Sequence, residues 1–138
     1  MKKLLTLNYL PDNRDLALLL LQILVGFSLF YKHGIEKLTG FSNMQKHFPD
    51  PLHIGVTTGL MFALLTDGIC SLLIIFVFAT SLASSLIIFN LSVVFFFLHG
   101  ASSVDAHAEM GYVYLASFLC ILLAGAGKYS IDNKLFKP

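Results

Sequence analysis

The chain has 138 residues, 57% of them hydrophobic and 12% charged, with a net charge of +1. Soluble domains carry about 25% charged residues, and no water-soluble fold of this size buries so much apolar surface. The near-zero net charge and the lack of a basic patch exclude nucleic acid as a partner. The length gives one domain, and the composition predicts an all-α integral membrane protein surrounded by the lipid bilayer.

The first predicted helix spans residues 15–38. Its start is indicated by Asp12–Asp15 (DNRD), which offers typical N-cap side chains just before the apolar run Leu16–Tyr31. This run is slightly short for a bilayer. The aliphatic stem of Lys32 can lie along apolar surface, so we expect the helix to continue to about Leu38. Gln22 is its only strongly polar interior residue.

The longest apolar stretch, Ile54–Leu98, contains one formal charge, Asp67. As one helix it would be about 68 Å long, whereas the hydrocarbon core of a bilayer is about 30 Å thick. It therefore predicts a hairpin of two helices, over residues 52–79 and 81–100, with a turn near Ala79–Ser81. We expect Asp50 to cap the second helix and Pro51 to occupy its first position.

Three small residues recur every four positions near the start of the second helix: Gly55, Gly59 and Ala63. Small residues at this spacing let helix backbones approach closely in lipid. The pattern predicts tight packing within the bundle, with a homo-oligomer interface as the alternative.

Asp67 needs a partner because a central Asp costs about 2.5–3.5 kcal/mol on insertion scales. We expect it to face the bundle interior, protonated or hydrogen-bonded. Asn90 lies at a similar predicted depth and is the first candidate, while Gln22 lies nearer the N-terminal side. Together these residues predict a buried polar layer.

The fourth predicted helix spans residues 109–128 and is closed by Gly125-Ala126-Gly127, ahead of a short polar tail. Four crossings make a four-helix bundle with both termini on one membrane side. That side carries six Lys and Arg residues against three on the other. The positive-inside rule therefore predicts cytoplasmic termini.

A polar cluster is predicted on the opposite, outer side. His33, Glu36 and Lys37 share one helix face, His99 ends the third helix, and Glu109 begins the fourth. The cluster is interpreted first as a hydrogen-bonded layer that ties helix ends together. A proton relay or a quinone head-group site comes second, and a metal site of His33, His99 and Glu109 third. Haem between His33 and His99 is the weakest interpretation.

Several motifs together resemble the DoxX family. Gly34–Gly40 (GIEKLTG) resembles the family element G-x-x-K-L-x-G, and Gly125–Asp132 (GAGKYSID) is similar to its closing signature G-P-G-[KR]-x-S-x-D. Phe48–Pro51 (FPDP) looks like the entry to the family's second helix. The resemblance implies a four-helix protein of the bacterial inner membrane. The family is named for a subunit linked to thiosulfate:quinone oxidoreduction, and some members associate with redox or detoxification complexes.

The chain also departs from the family pattern. Asp67 stands where the family usually has Glu, and Gln22 where it often has Arg. A buried Arg–Glu pair is therefore replaced, and we expect a neutral layer of Gln22, Asp67 and Asn90 instead.

The leading functional hypothesis is a redox-associated or quinone-interacting subunit, with a membrane redox complex as its partner. Asp67 is expected to be a buried proton or hydrogen-bond site, and His99 and Glu109 to contact a head group or partner. Lys37 is expected to neutralise an anionic head group or pair with Glu109. The alternatives are a non-catalytic scaffold or assembly subunit and, third, a small-solute transporter. Quinone is the candidate cofactor, and the sequence leaves open whether the protein is catalytic.

Overall fold

The computed structural model describes residues 13–98 and 106–136, with side chains from residue 108 onward in the second range. The described residues form helices joined by turns and loops, with no strand among them. The long helices are α1 (Arg14–Thr39), α3 (Val56–Ile75), α4 (Thr80–Leu98) and α5 (Ala106–Ala124). Two short helices, α2 (Phe41–Met44) and α6 (Ile131–Phe136), follow α1 and α5.

Helix α1 begins where the sequence predicts. The Asn13 side chain accepts a hydrogen bond of 3.1 Å from the Leu16 backbone N–H, as an N-cap does. The helix then continues past Lys32 to Thr39, so the predicted extension beyond the apolar run is confirmed. This extension carries Lys37 toward the bundle interior.

The entry to α3 differs from the prediction. The helix starts at Val56, not at residue 52, because Gly55 has φ of 101° and interrupts helical geometry. The Asp50 carboxylate accepts hydrogen bonds of 3.0 Å from the backbone N–H groups of both Ile54 and Gly55. Asp50 therefore fixes a turn in the entry loop, and Pro51 is not the first residue of the helix.

The turn between α3 and α4 lies earlier than predicted. Helix α3 ends at Ile75, and positive φ values at Val77 (54°) and Ala79 (48°) reverse the chain before Thr80. The Asp132 carboxylate accepts hydrogen bonds from the Ala79 and Thr80 N–H groups, at 2.7 and 3.0 Å. A contact from the far end of the chain thus stabilises this turn, which is why local sequence misplaced it.

Helix α5 ends at Ala124, four residues before the predicted boundary, and Gly125 and Gly127 follow with φ of 78° and 76°. The tail that was expected to be only polar forms α6. Part of the predicted loop between α4 and α5 lies outside the described residues.

The long helices pack as a bundle in which α1 and α4 each contact α3 and α5. Side chains from all four meet in one core, which includes Leu29, Ile74, Ile87 and Phe118. The outer faces expose large apolar side chains such as Leu24, Phe27, Leu82 and Leu123. Helices α1, α3 and α4 are long and apolar enough to cross a membrane, and α5 is apolar but shorter. The protein is an all-α membrane protein, as predicted.

Candidate ligand cavity

A buried ion pair joins α1 to α3. The Lys37 Nζ lies 2.8 Å from Asp67 Oδ2, and the two residues are only 7% and 5% exposed. The other carboxylate oxygen, Oδ1, is 3.3 Å from Thr66 Oγ1 and 3.4 Å from Asn90 Nδ2. The charge of Asp67 is therefore matched by an ammonium group and supported by neutral donors.

This geometry corrects the expected partners. The predicted contact between Asp67 and Asn90 is present, but the layer is charged because Lys37 joins it. Lys37 was expected to neutralise an anionic head group or to pair with Glu109, but Glu109 is exposed at the start of α5. The physical reason is the length of α1, which holds the Lys37 stem inside the bundle.

Gln22 does not join this group. It lies twelve residues before Gly34, which touches Asp67, and this is about 18 Å along a helix axis. Gln22 is buried, and among the described residues its Nε2 has no hydrogen-bond partner. The predicted layer of Gln22, Asp67 and Asn90 is therefore divided between two depths of the bundle.

The described parts of the long helices contain three π-helical segments: Phe30–Gly34, Leu65–Cys70 and Val94–Leu98. Such segments are rare and often occur at functional sites, because they rotate the residues that follow them. The second segment contains Asp67, and Lys37 follows one turn after the first.

Gly34 allows the first two π-helical segments to touch. A Cβ atom at this position would lie 2.7 Å from the Asp67 carbonyl oxygen and 3.0 Å from the Phe30 ring. Only glycine permits this approach without a shift of the backbone. The close contact brings Lys37 within reach of Asp67.

The ion pair lies in the wall of a cavity of about 360 Å³. This volume is within the range of about 300–1,000 Å³ that is typical of small-molecule sites. All four long helices and the entry loop of α3 contribute to it. The apolar lining includes Leu29, Phe48, Phe62, Ala63, Phe89, Val94, Leu98 and Met110.

The polar groups of the cavity are few. The cavity is lined by the polar side chains of His33, Lys37, Asp67, Asn90 and Tyr114. Asp50 lines it too, but both of its carboxylate oxygens accept backbone N–H groups of the entry loop. The cavity therefore combines apolar and aromatic walls with a small polar group around the ion pair.

Some donors of this polar group remain available to a ligand. A lysine ammonium carries three N–H donors. In the described part of the chain, Lys37 directs two of them to Asp67 Oδ2 and, at 3.4 Å, to the His33 carbonyl oxygen. The third N–H of Lys37 and the second Nδ2–H of Asn90 can donate to a ligand that carries oxygen acceptors.

The other residues of the predicted polar cluster do not lie together in the structure. His33 is half-buried, lines the cavity and packs edge-on against Tyr114, with ring centroids 6.1 Å apart. Glu36 is exposed on α1. His99 lies outside the described residues, so the metal or haem sets that include it stay predictions. Within the described ranges, no three His, Cys, Asp or Glu side chains are grouped as metal ligands.

Two site residues were missed from the sequence. Tyr114 is buried, and its hydroxyl lies 2.6 Å from Ser28 Oγ, which joins α5 to α1 beside the cavity. Thr66 is fully buried next to Asp67. Hydroxyl groups inside apolar helices were the available signal, but hydroxyls are common in such helices and usually bind their own backbone.

The predicted small residues near the start of α3 lie beside the cavity or in the entry loop. Gly59 and Ala63 line the cavity, and the position of a Gly59 Cβ would be 3.9 Å from the Phe48 ring. Gly55 lies in the entry loop, before the helix begins. Two of the three residues therefore make room for the cavity, and an oligomer interface through the three stays a prediction.

The fold and the cavity define a small helical membrane protein with an internal cavity that has polar groups in its wall. The DoxX family model matches residues 17–100, more than half of the chain. The chain belongs to the DoxX family, and the predicted resemblance is confirmed. The match includes Lys37, Asp67 and Asn90 but not the cavity residues of α5.

A protein of Haemophilus influenzae, described as an uncharacterized protein, is 27% identical to this chain over 129 residues. The alignment covers 88% of the chain and 84% of that relative. No solved structure matches the chain.

Proposed function

We propose that the cavity binds a lipophilic molecule with a carbonyl-bearing head group, of the quinone class. The protein would act as a redox-associated subunit in the membrane. The single observation that carries this proposal is the buried Lys37–Asp67 pair in the wall of an otherwise largely apolar cavity. An apolar cavity with a few convergent polar groups is the usual form of a site for such a ligand.

The roles of the residues follow from their free atoms. Lys37 would donate its third N–H to a carbonyl oxygen of the head group, while Asp67 holds the ammonium in place. Asn90 would offer a second donor from α4. Phe62 and Phe89, whose rings lie edge-to-face with centroids 5.8 Å apart, would pack against the ring or tail.

The placement in the cell is part of the proposal. The cavity is at the end of the bundle opposite the described chain ends, because α1 runs from Arg14 toward Lys37. With six basic residues against three, the termini would be cytoplasmic and the cavity would lie toward the outer face of a bacterial inner membrane. A quinone in the bilayer would reach the cavity without crossing water.

The test is a binding measurement on protein purified in lipid nanodiscs. The bound lipids are extracted and analysed for quinone by chromatography and by the ultraviolet change on borohydride reduction. The protein is also titrated with a short-chain benzoquinone, with thermal unfolding as the readout. We expect the benzoquinone to raise the unfolding temperature, and Asn90→Leu to weaken this effect.

Ser85→Ala is the matched control, because Ser85 is exposed on the same helix and its hydroxyl donates to the Ser81 carbonyl oxygen. An absence of extracted quinone together with no thermal shift would contradict the proposal. That outcome would favour the scaffold function, in which the ion pair only joins helices. Loss of a co-purifying complex on Lys37→Met, with the protein still folded, would then support a scaffold.

A further inference from the structure

The charged groups around the polar end of the cavity leave no excess of positive charge. Among the described lining residues, the ionisable side chains are His33, Lys37, Asp50, Asp67 and Tyr114. Lys37 and Asp67 form a contact pair with zero net charge. Asp50 adds negative charge at the entry loop, where backbone N–H groups occupy its oxygens. No unpaired cation therefore faces the cavity in the described part of the chain.

The lack of excess positive charge has a consequence for the head group of a ligand. A neutral carbonyl can accept the third N–H of Lys37 and leave the ion pair intact. An anionic head group would bring a second negative charge beside Asp67 in a place where both residues are less than a tenth exposed. Burying an uncompensated charge is strongly unfavourable, so an anion could enter only together with a proton.

We infer that Asp67 determines the charge specificity of the cavity, which selects neutral carbonyl-bearing lipophiles and rejects anionic ones such as fatty-acid carboxylates. The inference rests on the proposed function for the location of the site, and it adds the charge class of the ligand. Without Asp67, the cavity would prefer anionic ligands over neutral ones, because an unpaired buried ammonium at Lys37 favours an anion.

The matched variant is Asp67→Asn. It preserves the size of the side chain and an acceptor for Lys37, but it removes the negative charge. Lys37 then lacks a counter-charge, and a carboxylate on a ligand could replace the one that was lost. The same cavity should change from neutral-selective to anion-selective.

The experiment compares laurate with methyl laurate, which share a chain and a carbonyl but differ in charge. Binding is measured by thermal shift in phosphatidylcholine nanodiscs at pH 8, where laurate in water is ionised. We expect the wild-type protein to bind methyl laurate at least about tenfold more tightly than laurate, and Asp67→Asn to reverse the order. Ser85→Ala is the control, because Ser85 is exposed on α4 away from the cavity, and the order should stay unchanged.

Equal affinity of the wild-type protein for the two probes, or binding of neither, would overturn the inference. The wild-type comparison decides the matter even if Asp67→Asn does not fold. If that variant is unstable, unfolding measured with and without laurate provides a second test, since laurate should stabilise it and not the wild-type protein. A short-chain benzoquinone titrated in the same nanodiscs separates the two proposals. Failure of the benzoquinone with retained ester preference would contradict only the redox function.

Discussion

The two ends of the bundle differ in whether their buried polar groups have hydrogen-bond partners. At the cavity end, which contains Lys37, Asp67 and Asn90, the buried charges are paired and space is left beside them. At the tail end, where α6 packs against the α3–α4 turn, Gln22 Nε2, Thr80 Oγ1 and Ser84 Oγ are buried without a partner among the described residues. A buried charge without a partner costs more free energy than a buried neutral group without one. This explains why the charged residues are paired and the neutral groups are not.

The tail end is held by hydrogen bonds that backbone N–H groups donate, mostly to carboxylates. Besides the two bonds to Asp132, the Ile131 N–H donates to the Val77 carbonyl oxygen at 3.0 Å, and the Lys128 N–H donates to Asp15 Oδ1 at 3.1 Å. These bonds tie the end of the chain to α1 and to the α3–α4 turn. The tail end therefore joins the end of the chain to the bundle, whereas the cavity end leaves space between the helices.

The largest expected effect is at the ion pair. Lys37→Met leaves Asp67 as an unpaired buried charge, which typically costs about 3–5 kcal/mol of stability. Unfolding by sodium dodecyl sulfate, followed by circular dichroism, measures the loss. Lys32→Met is the control, because Lys32 is exposed on the same helix. The double variant Lys37→Met with Asp67→Asn should recover much of the stability, and no recovery would contradict the assignment of the cost to Asp67.

The next effect concerns the close approach of α1 and α3. Gly34→Ala places a methyl group 2.7 Å from the Asp67 carbonyl oxygen, so the helices have to separate at a cost of about 1–3 kcal/mol. The same unfolding assay measures it. Gly111→Ala is the matched control, since a Cβ there meets nothing within 4 Å. Equal stability of the two variants would show that the contact does not constrain the bundle.

A smaller effect is expected at the tail end. Asp132→Ala removes the acceptor of the Ala79 and Thr80 N–H groups, and loss of such a cap costs about 0.5–2 kcal/mol. Thermal unfolding in detergent checks it, with Lys134→Ala on the same short helix as the control. We expect benzoquinone binding to be unchanged in Asp132→Ala, because the cavity is at the other end. A weakened affinity would show that the two ends are coupled.

The smallest effect distinguishes paired from unpaired hydroxyls. Ser71 and Ser84 are both fully buried, but Ser71 Oγ donates to backbone carbonyl oxygens and Ser84 Oγ has no partner in the described structure. Ser71→Ala should destabilise by about 1 kcal/mol, whereas Ser84→Ala should be neutral or stabilising. The midpoints of thermal unfolding compare the two. Destabilisation by Ser84→Ala would reveal a bound water or other partner at the tail end.

Much of the fold was predictable because lipid imposes a simple rule. Backbone groups in a bilayer have to be satisfied within each segment, so long apolar runs form helices. The N-terminal start of α1 and its extension to Thr39 followed from local residues. The predicted start and end of α3 were wrong. The observed start at Val56 depends on Gly55 and Asp50. The observed end at Ile75 depends on the turn that Asp132 binds, and no local pattern connects this distant residue to the turn.

The candidate site was predictable only in part. Asp67 was identified because a charge in an apolar run requires a partner, and Asn90 because of its depth. The pairing of Lys37 with Asp67 was not predicted, since the inward orientation of Lys37 depends on the full length of α1 and on the π-helical segment before it. Tyr114 was missed because its role arises from packing against His33 and Ser28.

The sequence by itself determined that the protein is a helical membrane protein of the DoxX type and that Asp67 is buried. Both follow from local quantities, namely hydropathy, motif spacing and the cost of a charge in lipid. Only the tertiary structure decided that Lys37 is the partner of Asp67, that π-helical segments and Gly34 bring them together, and that a cavity remains beside them. These features depend on how helices distant in sequence rotate and approach, because the partner of a buried charge is chosen by distance in space.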